Sequence, residues 1–408
     1  MTAILELNDF ELTLYQNAER LYHAPAMAIV RDQDLSFGEA ARREFRLFPR
    51  QANQQYFAKL NAEPLSQPSR AATNNADLVY LHLKELQQLC DDQLVLAVPG
   101  NLSGDQLGVL LGIAQEAGFT IKGFVDSAVA ALAENAAPAA VYYLDIHLQH
   151  SVLTELSVGD EVKRIRAEEI RDCGVSNLID GWVNVITDRF VSKTRFDPLH
   201  TADTEQQLYN QVHDWLHGAH LHPELSVVIS HGGSERSVEV PLSDLEAKAQ
   251  QRYRKIVEVL PAASHLMISA RTAKVPGLAR ALKDAGHRVE PLTANAVGDG
   301  VRRNLARIIG NGEQLRLVNS LPHEHDTPVT ALPATPVPAA THLLYSHNAF
   351  ALNHHSTLRF EDRAGEAWLL PGDGVSLNGK NLEHATRLQP GDVIADGSRS
   401  FTAISVDG

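Results

Sequence analysis

The sequence predicts an α/β protein built from a duplicated two-lobe unit with a cleft between the lobes, followed by a small all-β domain. Three observations predict this. The stretch from Leu94 to Asp145 alternates strand, helix, strand, helix, strand, an order that gives a parallel sheet with helices packed on it. A second stretch repeats the design at a constant offset: Gly118 matches Gly286, Ala128 matches Ala296 and Val129 matches Val297, each 168 positions on (286 − 118 = 168). The proline- and threonine-rich segment 320–340 then separates this unit from alternating short strands and turns.

The elements follow from local chemistry. Leu94–Val98 is an apolar run closed by Pro99, which reads as a buried strand. Ser103 caps the next helix, with Gln106 as its capping-box partner. Leu107, Leu110, Leu111 and Ala114 share one helix face, and Gly118 stops the helix. Phe119–Val125 is the second strand, Ser127–Glu134 a small-residue helix, and Ala140–Asp145 the third strand. His265–Gly286 reads as strand, proline-containing polar loop and amphipathic helix. Each half opens on a meander: Ile4–Asn8, Phe10–Gln16 and Tyr22–Arg31 in the first; Ala140–Asp145, Ser151–Val158 and Glu161–Arg166 in the second. Two such halves give lobe I over 1–138 and lobe II over 139–319.

Composition narrows the function classes. The 408 residues carry a net charge of −14, which opposes a nonspecific nucleic-acid or anionic-membrane surface. Cys90 and Cys173 are the only cysteines, which fits a reducing compartment. The N-terminus shows no signal-peptide pattern, and no stretch is long and apolar enough to cross a bilayer. These features predict a soluble cytoplasmic protein without membrane insertion.

Three stretches together resemble the Hsp70 nucleotide-binding domain, of the actin/Hsp70/sugar-kinase ATPase fold, over about residues 1–315. VLAVPGNLSGDQLGVLLGIAQEAGFTIKGFVDSAVAALAEN is similar to the segment from the V-P strand to the N-E-P-T-A-A helix. YYLDIHLQHSVLTEL is similar to the second phosphate loop, D-L-G-G-G-T-x-D. ISARTAKVPGLARAL is similar to the adenosine-side loop, V-G-G-S-x-R-x-P. The resemblance implies a cleft for ATP or ADP with Mg²⁺.

The site positions depart from that pattern. In the first phosphate turn, Glu6 keeps a carboxylate, Asn8 replaces glycine, and Asp9 and Phe10 replace hydroxyl residues. Asn tolerates positive φ, so the turn is expected to survive as a hairpin. The glutamate and proline of the N-E-P helix become Asp126, Ser127 and Ala128. Asp145 survives in the second loop, but its glycines become His147, Leu148 and Gln149, and its second aspartate becomes Val152. Glycines serve there because backbone N–H groups must approach phosphate closely. The paired adenosine-loop glycines become Ala270 and Arg271, while Lys274 and Pro276 remain. Nucleotide binding is therefore expected to be weak or absent. If the chain is an ATPase, Asp145 holds metal or water, Asp126 assists, and Asn8, Ala270 and Lys274 contact nucleotide.

The remaining segments read as follows. FGEAARREFRLFP begins a short insert into lobe I; its run Arg42, Arg43, Arg46 and Arg50 reads as a solvated helix face. Leu78–Leu89 is a helix. EEIRDCGVSNLIDG resembles the family's G-G-E-D-F-D helix start, keeping Gly174. Leu225–Ser230 and Ser237–Pro241 form a hairpin across HGGSE, and helix Leu242–Leu260 follows, capped by Ser243 with Glu246. His213, His217, His220 and His222 are closely spaced, but no cysteine or H-E-x-x-H glutamate completes a zinc site. The sequence contains no P-loop, G-x-G-x-x-G or G-x-S-x-G motif.

Residues 341–408 read as a small β domain. The stretch from Trp368 to Val406 is similar to the closing half of a forkhead-associated (FHA) domain, through Asn378-Gly379 and Leu388–Ile394. Its phosphothreonine motifs are not evident; His354-His355-Ser356 is a remnant at best. A small β-barrel with an N-G hairpin fits equally well. Together these readings predict a degenerate Hsp70-like protein that binds protein partners as a scaffold or chaperone-like protein. The rival reading is an ATPase with rebuilt phosphate loops.

Overall fold

The computed structural model describes residues 1–31, 34–216, 223–310, 315–323, 340–345, 348–352, 358–363, 366–372, 374–382, 384–388, 390–397 and 399–404. The chain is mixed α/β and divides into two compact units, Met1–His325 and Asp326–Gly408.

The first unit opens with the meander β1 (Ala3–Glu6), β2 (Leu12–Gln16) and β3 (Glu19–Ala24). The expected third strand is broken at Pro25. Its second part, β4 (Ala28–Arg31), leaves the meander and pairs with β5 (Asp34–Phe37) and, beyond α1 (Gly38–Glu44), with β6 (Ala52–Asn53). Two helices follow, α2 (Tyr56–Lys59) and α3 (Asn75–Gln87). The latter starts three residues earlier than Leu78, because Asn74 and Asp77 make a reciprocal capping box. Then come β7 (Gln93–Val98), α4 (Gly104–Glu116), β8 (Thr120–Asp126) and α5 (Ser127–Ala133). The Ser103–Gln106 box forms as the sequence predicts, and Gly118 takes φ +103°.

The second half repeats this plan with β9 (Ala140–Ile146), β10 (His150–Val158) and β11 (Glu161–Arg171). An excursion follows: α6 (Val175–Thr194), α7 (Ala202–Trp215), the hairpin β12 (Glu224–His231) and β13 (Ser234–Pro241), and α8 (Leu242–Val259). Gly232 and Gly233 both take positive φ, as a two-residue hairpin turn requires. The N-cap of α8 is Pro241, not Ser243, and Glu246 is buried against Arg280 instead of closing a box. The parallel part is β14 (His265–Ile268), α9 (Ala270–Ala273), α10 (Leu278–Asp284), β15 (Arg288–Pro291), α11 (Ala296–Arg303) and α12 (Leu305–Ile309). Two short strands close the unit, β16 (Leu317–Val318) and β17 (Ser320–Pro322).

Two six-stranded sheets result, ordered β3-β2-β1-β7-β8-β16 and β17-β11-β10-β9-β14-β15. Apart from the added edge strands, their orders match element for element. Thr120 and Arg288, which begin β8 and β15, are 168 positions apart (288 − 120). The boundary at 319 and the linker start at 320 both shift. Leu317–Val318 pairs with β8 of the first sheet, and Ser320–Pro322 pairs with β11 of the second. The remainder of the expected linker, 324–339, lies outside the described residues.

The helices α5 and α11 pack against each other, and with residues of both sheets they make one core. Every residue of α5 is buried, and its small side chains let the backbones approach. At Gly300 a Cβ would stand 1.9 Å from the Ala130 carbonyl oxygen, so only glycine fits that crossing. A second core also joins the halves: Phe10, Met27, Ile29, Ala41 and Phe45 pack with Trp182, Phe190, Tyr209 and Tyr253. Helix α7 seals the free edge of β12 with two glutamines one turn apart. Gln207 donates to the Ser230 carbonyl and accepts from its N–H, and Gln211 does the same with Val228.

The second unit contains β18 (His342–Tyr345), β19 (Asn348–Ala351), β20 (Phe360–Arg363), β21 (Glu366–Leu369), β22 (Val375–Leu377), β23 (Lys380–Asn381), β24 (Thr386–Arg387), β25 (Val393–Asp396) and β26 (Arg399–Ile404). They form a six-stranded and a three-stranded sheet, and its core includes Leu343, Leu369, Val375, Ile394 and Phe401. Asn378 and Gly379 both take positive φ in the β22–β23 hairpin. His354, His355 and Ser356 lie outside the described residues.

Candidate functional site

The end of β1, the end of β9 and the start of α9 converge where the two halves meet. Asn8 holds the β1–β2 turn. Its Oδ1 accepts from the N–H groups of Phe10 (2.9 Å) and Glu11 (3.2 Å), so the turn survives through a side chain. Positive φ at Asn8, expected from the sequence, is not used. Its Nδ2 donates across the halves to Asp145 Oδ2 (3.0 Å) and the Ile146 carbonyl (2.9 Å).

Asp9 performs the second crossing. Its Oδ1 accepts from the Leu148 N–H at 2.8 Å and lies 3.3 Å from His147 Nδ1. Burial would raise the Asp9 carboxyl, but the His147 hydrogen bond and the nearby imidazoles hold it below its ordinary value. His147 stacks on His150 with ring centroids 4.8 Å apart. Burial and the neighbouring His147 push His150 down to about 4, which keeps it neutral near pH 7. Around this pair lies a cavity of about 60 Å³, walled by Asp9, Pro99, Asn101, His147, His150 and Glu169.

Arg271 fills the centre. Its guanidinium is buried, bonds Glu6 through Nη2, and places Nε 3.5 Å from Asp145 and 3.6 Å from Glu11. Burial alone would lower its pKa; Asp145, Glu6 and Glu11 more than reverse this and hold the cation charged. Burial raises Glu6 above its usual value, and Arg271 offsets only part of that. Glu6 is therefore a carboxyl that takes a proton more readily than a free glutamate. Among the described residues, no group of three His, Cys, Asp or Glu is placed to hold a metal ion.

The sequence-predicted residues separate into two sets. Asn8 and Asp145 meet. Ala270 begins α9, next to Arg271, and Lys274 ends it with Nζ 4.0 Å from Glu11. The cavity beside Ala270, Arg271 and Thr293 measures about 10 Å³. Asp126 stands apart as the N-cap of α5. Its Oδ1 accepts from the Ala128 and Val129 N–H groups, and its Oδ2 from Arg164 at 2.7 Å. Burial raises its carboxyl despite those partners. No described hydrogen bond joins Asp126 to Asp145.

The arginine run is a solvated face only at Arg43 and Arg50; Arg42 and Arg46 turn inward. Arg42 is buried: Nε and Nη2 grip Glu39 in bidentate fashion, and Nη2 also reaches Asp214 of α7 at 3.1 Å. Arg46 contacts Asp180 at 2.5 Å and lies over the Tyr209 ring. Phe45 stacks on Tyr209, and Gln206 ties the Arg42 carbonyl to the Arg46 N–H. The predicted insert is thus a clasp between α1 and α7. His213 is buried beside Phe10 and Tyr209; His217, His220 and His222 lie outside the described residues.

Sequence reading missed Glu11, Arg164 and the clasp residues Phe45 and Tyr209. Nothing local marks them, because their partners are more than 30 positions away. No protein-family model matches the chain, and no curated protein matches it.

Proposed function

We propose that the chain is a non-hydrolysing protein of the actin/Hsp70-like two-lobe design, acting as a protein-binding scaffold. In this reading 1–138 and 139–319 are the lobes, and 341–408 is an appended FHA-like β domain. The matching strand orders of the two sheets support the two-lobe design. One observation carries the loss of nucleotide chemistry: the groups that would cradle phosphate are already bonded to the protein. The Leu148 amide donates to Asp9, the Phe10 and Glu11 amides donate to Asn8, and Arg271 supplies the cation between Glu6 and Asp145.

The residues present do not fit ATP or ADP with Mg²⁺. Asp145, the acid expected to hold the metal, and Glu6 beside it already face the Arg271 guanidinium, and about 10 Å³ beside Ala270 and Arg271 leaves no room for a nucleoside. The α1–α7 clasp and the shared cores also oppose a nucleotide-driven opening of the lobes. What remains is a fixed body with a loop-bearing β domain attached, an arrangement suited to holding partners. Two free cysteines and the acidic charge fit a cytoplasmic protein that binds neither nucleic acid nor membrane.

The test is partner capture with and without residues 341–408. Loss of the captured partners, with the melting temperature of 1–325 unchanged, is the expected result. An unchanged partner set contradicts the assignment of binding to the β domain.

A further inference from the structure

A cavity of about 240 Å³ lies between the start of β1, the β2–β3 turn and α11, and shares no wall residue with the Arg271 centre. Ile4, the Tyr15 ring and Leu305 make its apolar wall, and it opens past the exposed Asn17 and Arg302. A Cβ on Gly298 would stand 3.0 Å from the Tyr15 ring, so that ring packs directly on the α11 backbone. Tyr15 is 7% exposed, and its hydroxyl has no hydrogen-bond partner yet is not sealed from solvent. Burial raises its pKa, so the hydroxyl stays protonated. The charges around the cavity are matched. Asp299 and Arg302 pair at 3.0 Å, and the Met1 amine pairs with Asp91. Of the other ions that act on Tyr15, Glu6 and Arg271 bond each other, and Arg20 stands exposed on β3, outside the wall.

We infer that this cavity binds a small, neutral, planar molecule of the indole class, its rings among Ile4, Tyr15 and Leu305 and its one polar group on the Tyr15 hydroxyl. A wall whose charges are matched offers no counter-ion, so a net charge on the ligand would lose its water without replacement. The size fits two fused rings: an apolar cavity of about 150 Å³ takes benzene, and this one is larger. The second sheet shows what such a place accepts. The offset that relates α5 to α11 sets Ala130 against Gly298 and Ala137 against Leu305, each 168 positions apart (298 − 130 = 168). There the chain fills the corresponding place with a planar ring of its own. The His323 N–H donates to the Asp160 carbonyl in the β10–β11 turn at 3.0 Å, and its Nε2 lies 2.9 Å from the Asn135 carbonyl just past α5. Leu321 is buried in the core that holds α5. This inference stands independently of the scaffold reading.

The experiment is calorimetric titration of the full chain with indole, with indene, which has a methylene in place of the indole N–H, and with benzoate and benzylamine as charged rings. Indole is expected to bind with submillimolar affinity and indene about fivefold more weakly, the loss of one neutral hydrogen bond. Tyr15→Phe is expected to bring indole down to the level of indene and to leave indene unchanged. Leu305→Trp, at a half-buried position, fills the cavity and is expected to abolish binding of both while keeping the circular dichroism spectrum. It provides the second variant should Tyr15→Phe fail to fold. Neither heat nor a shift in melting temperature with indole at millimolar concentration, equal binding of indene, tighter binding of benzoate or benzylamine than of indole, or unchanged indole binding in a variant that folds overturns the assignment.

Discussion

The Asp9 carboxylate accepts the backbone N–H of Leu148 at 2.8 Å, so a side chain of the first sheet's turn occupies an amide of the second sheet's turn. In the proposed two-lobe reading, the contact puts an anion from the protein where a phosphate-binding loop would receive one from a ligand. Asp9→Ala is expected to destabilise the protein by about 1–3 kcal/mol by leaving the buried amide unpaired. The Asp9 pKa is lowered on folding, so its contribution is complete above the ordinary carboxylate pKa and is lost as pH falls through the lowered value. Chemical denaturation of wild type and variant in that acid range checks the sign: the gap must narrow with falling pH.

Among the described residues, Arg271 is the guanidinium that faces Glu6, Glu11 and Asp145. Arg271→Ala leaves buried carboxylates without their cation and is expected to cost about 3–5 kcal/mol. Adding Asp145→Asn to that variant should recover part of the loss. Urea midpoints of the two variants decide this, and a loss below about 1 kcal/mol means that Arg271 does not organise the centre.

His82 gives a second pH signature. Both ring nitrogens meet tyrosine hydroxyls, Tyr22 at 2.9 Å and Tyr56 at 2.8 Å, and the ring stacks on Phe37. Burial pushes its pKa down to about 3 from the ordinary 6.5. Because the folded value is depressed, the contribution is intact above pH 6.5 and falls as pH drops towards 3. At about pH 5 the loss is about 2 kcal/mol. His82→Phe should flatten stability against pH over this window, and an unchanged slope would show that His82 is not its source.

How much of this was legible in the sequence depends on distance along the chain. The strand–helix units around Leu94–Asp145 were legible because each signal is local: an apolar run, a Ser103–Gln106 box, a stopping Gly118. The sequence also singled out Asn8, Asp145 and Arg271, each standing at or beside a loop position that departs from an expected pattern. Their use was not legible. That Asn8 bonds Asp145, or that Arg271 reaches Glu6, depends on contacts 137 and 265 positions apart. Arg42 and Arg46 misled for the same reason, since a charged run on a short helix carries no mark of the acids waiting on α7.

The glutamine seal on β12 has a consequence for association. An open strand edge pairs readily with another chain. Gln207→Ala with Gln211→Ala should therefore produce concentration-dependent self-association in sedimentation velocity, with the wild type unchanged under the same conditions. A double variant that sediments like the wild type shows that these amides do not guard the edge.

The most direct measurement is titration of the full chain with ATP and with ADP in the presence of Mg²⁺, followed by calorimetry. If Asp9, Asn8 and Arg271 have taken the places of a nucleotide, neither gives a binding isotherm and neither shifts the melting temperature. Submicromolar binding of either nucleotide, or turnover abolished by Asp145→Ala, contradicts that claim.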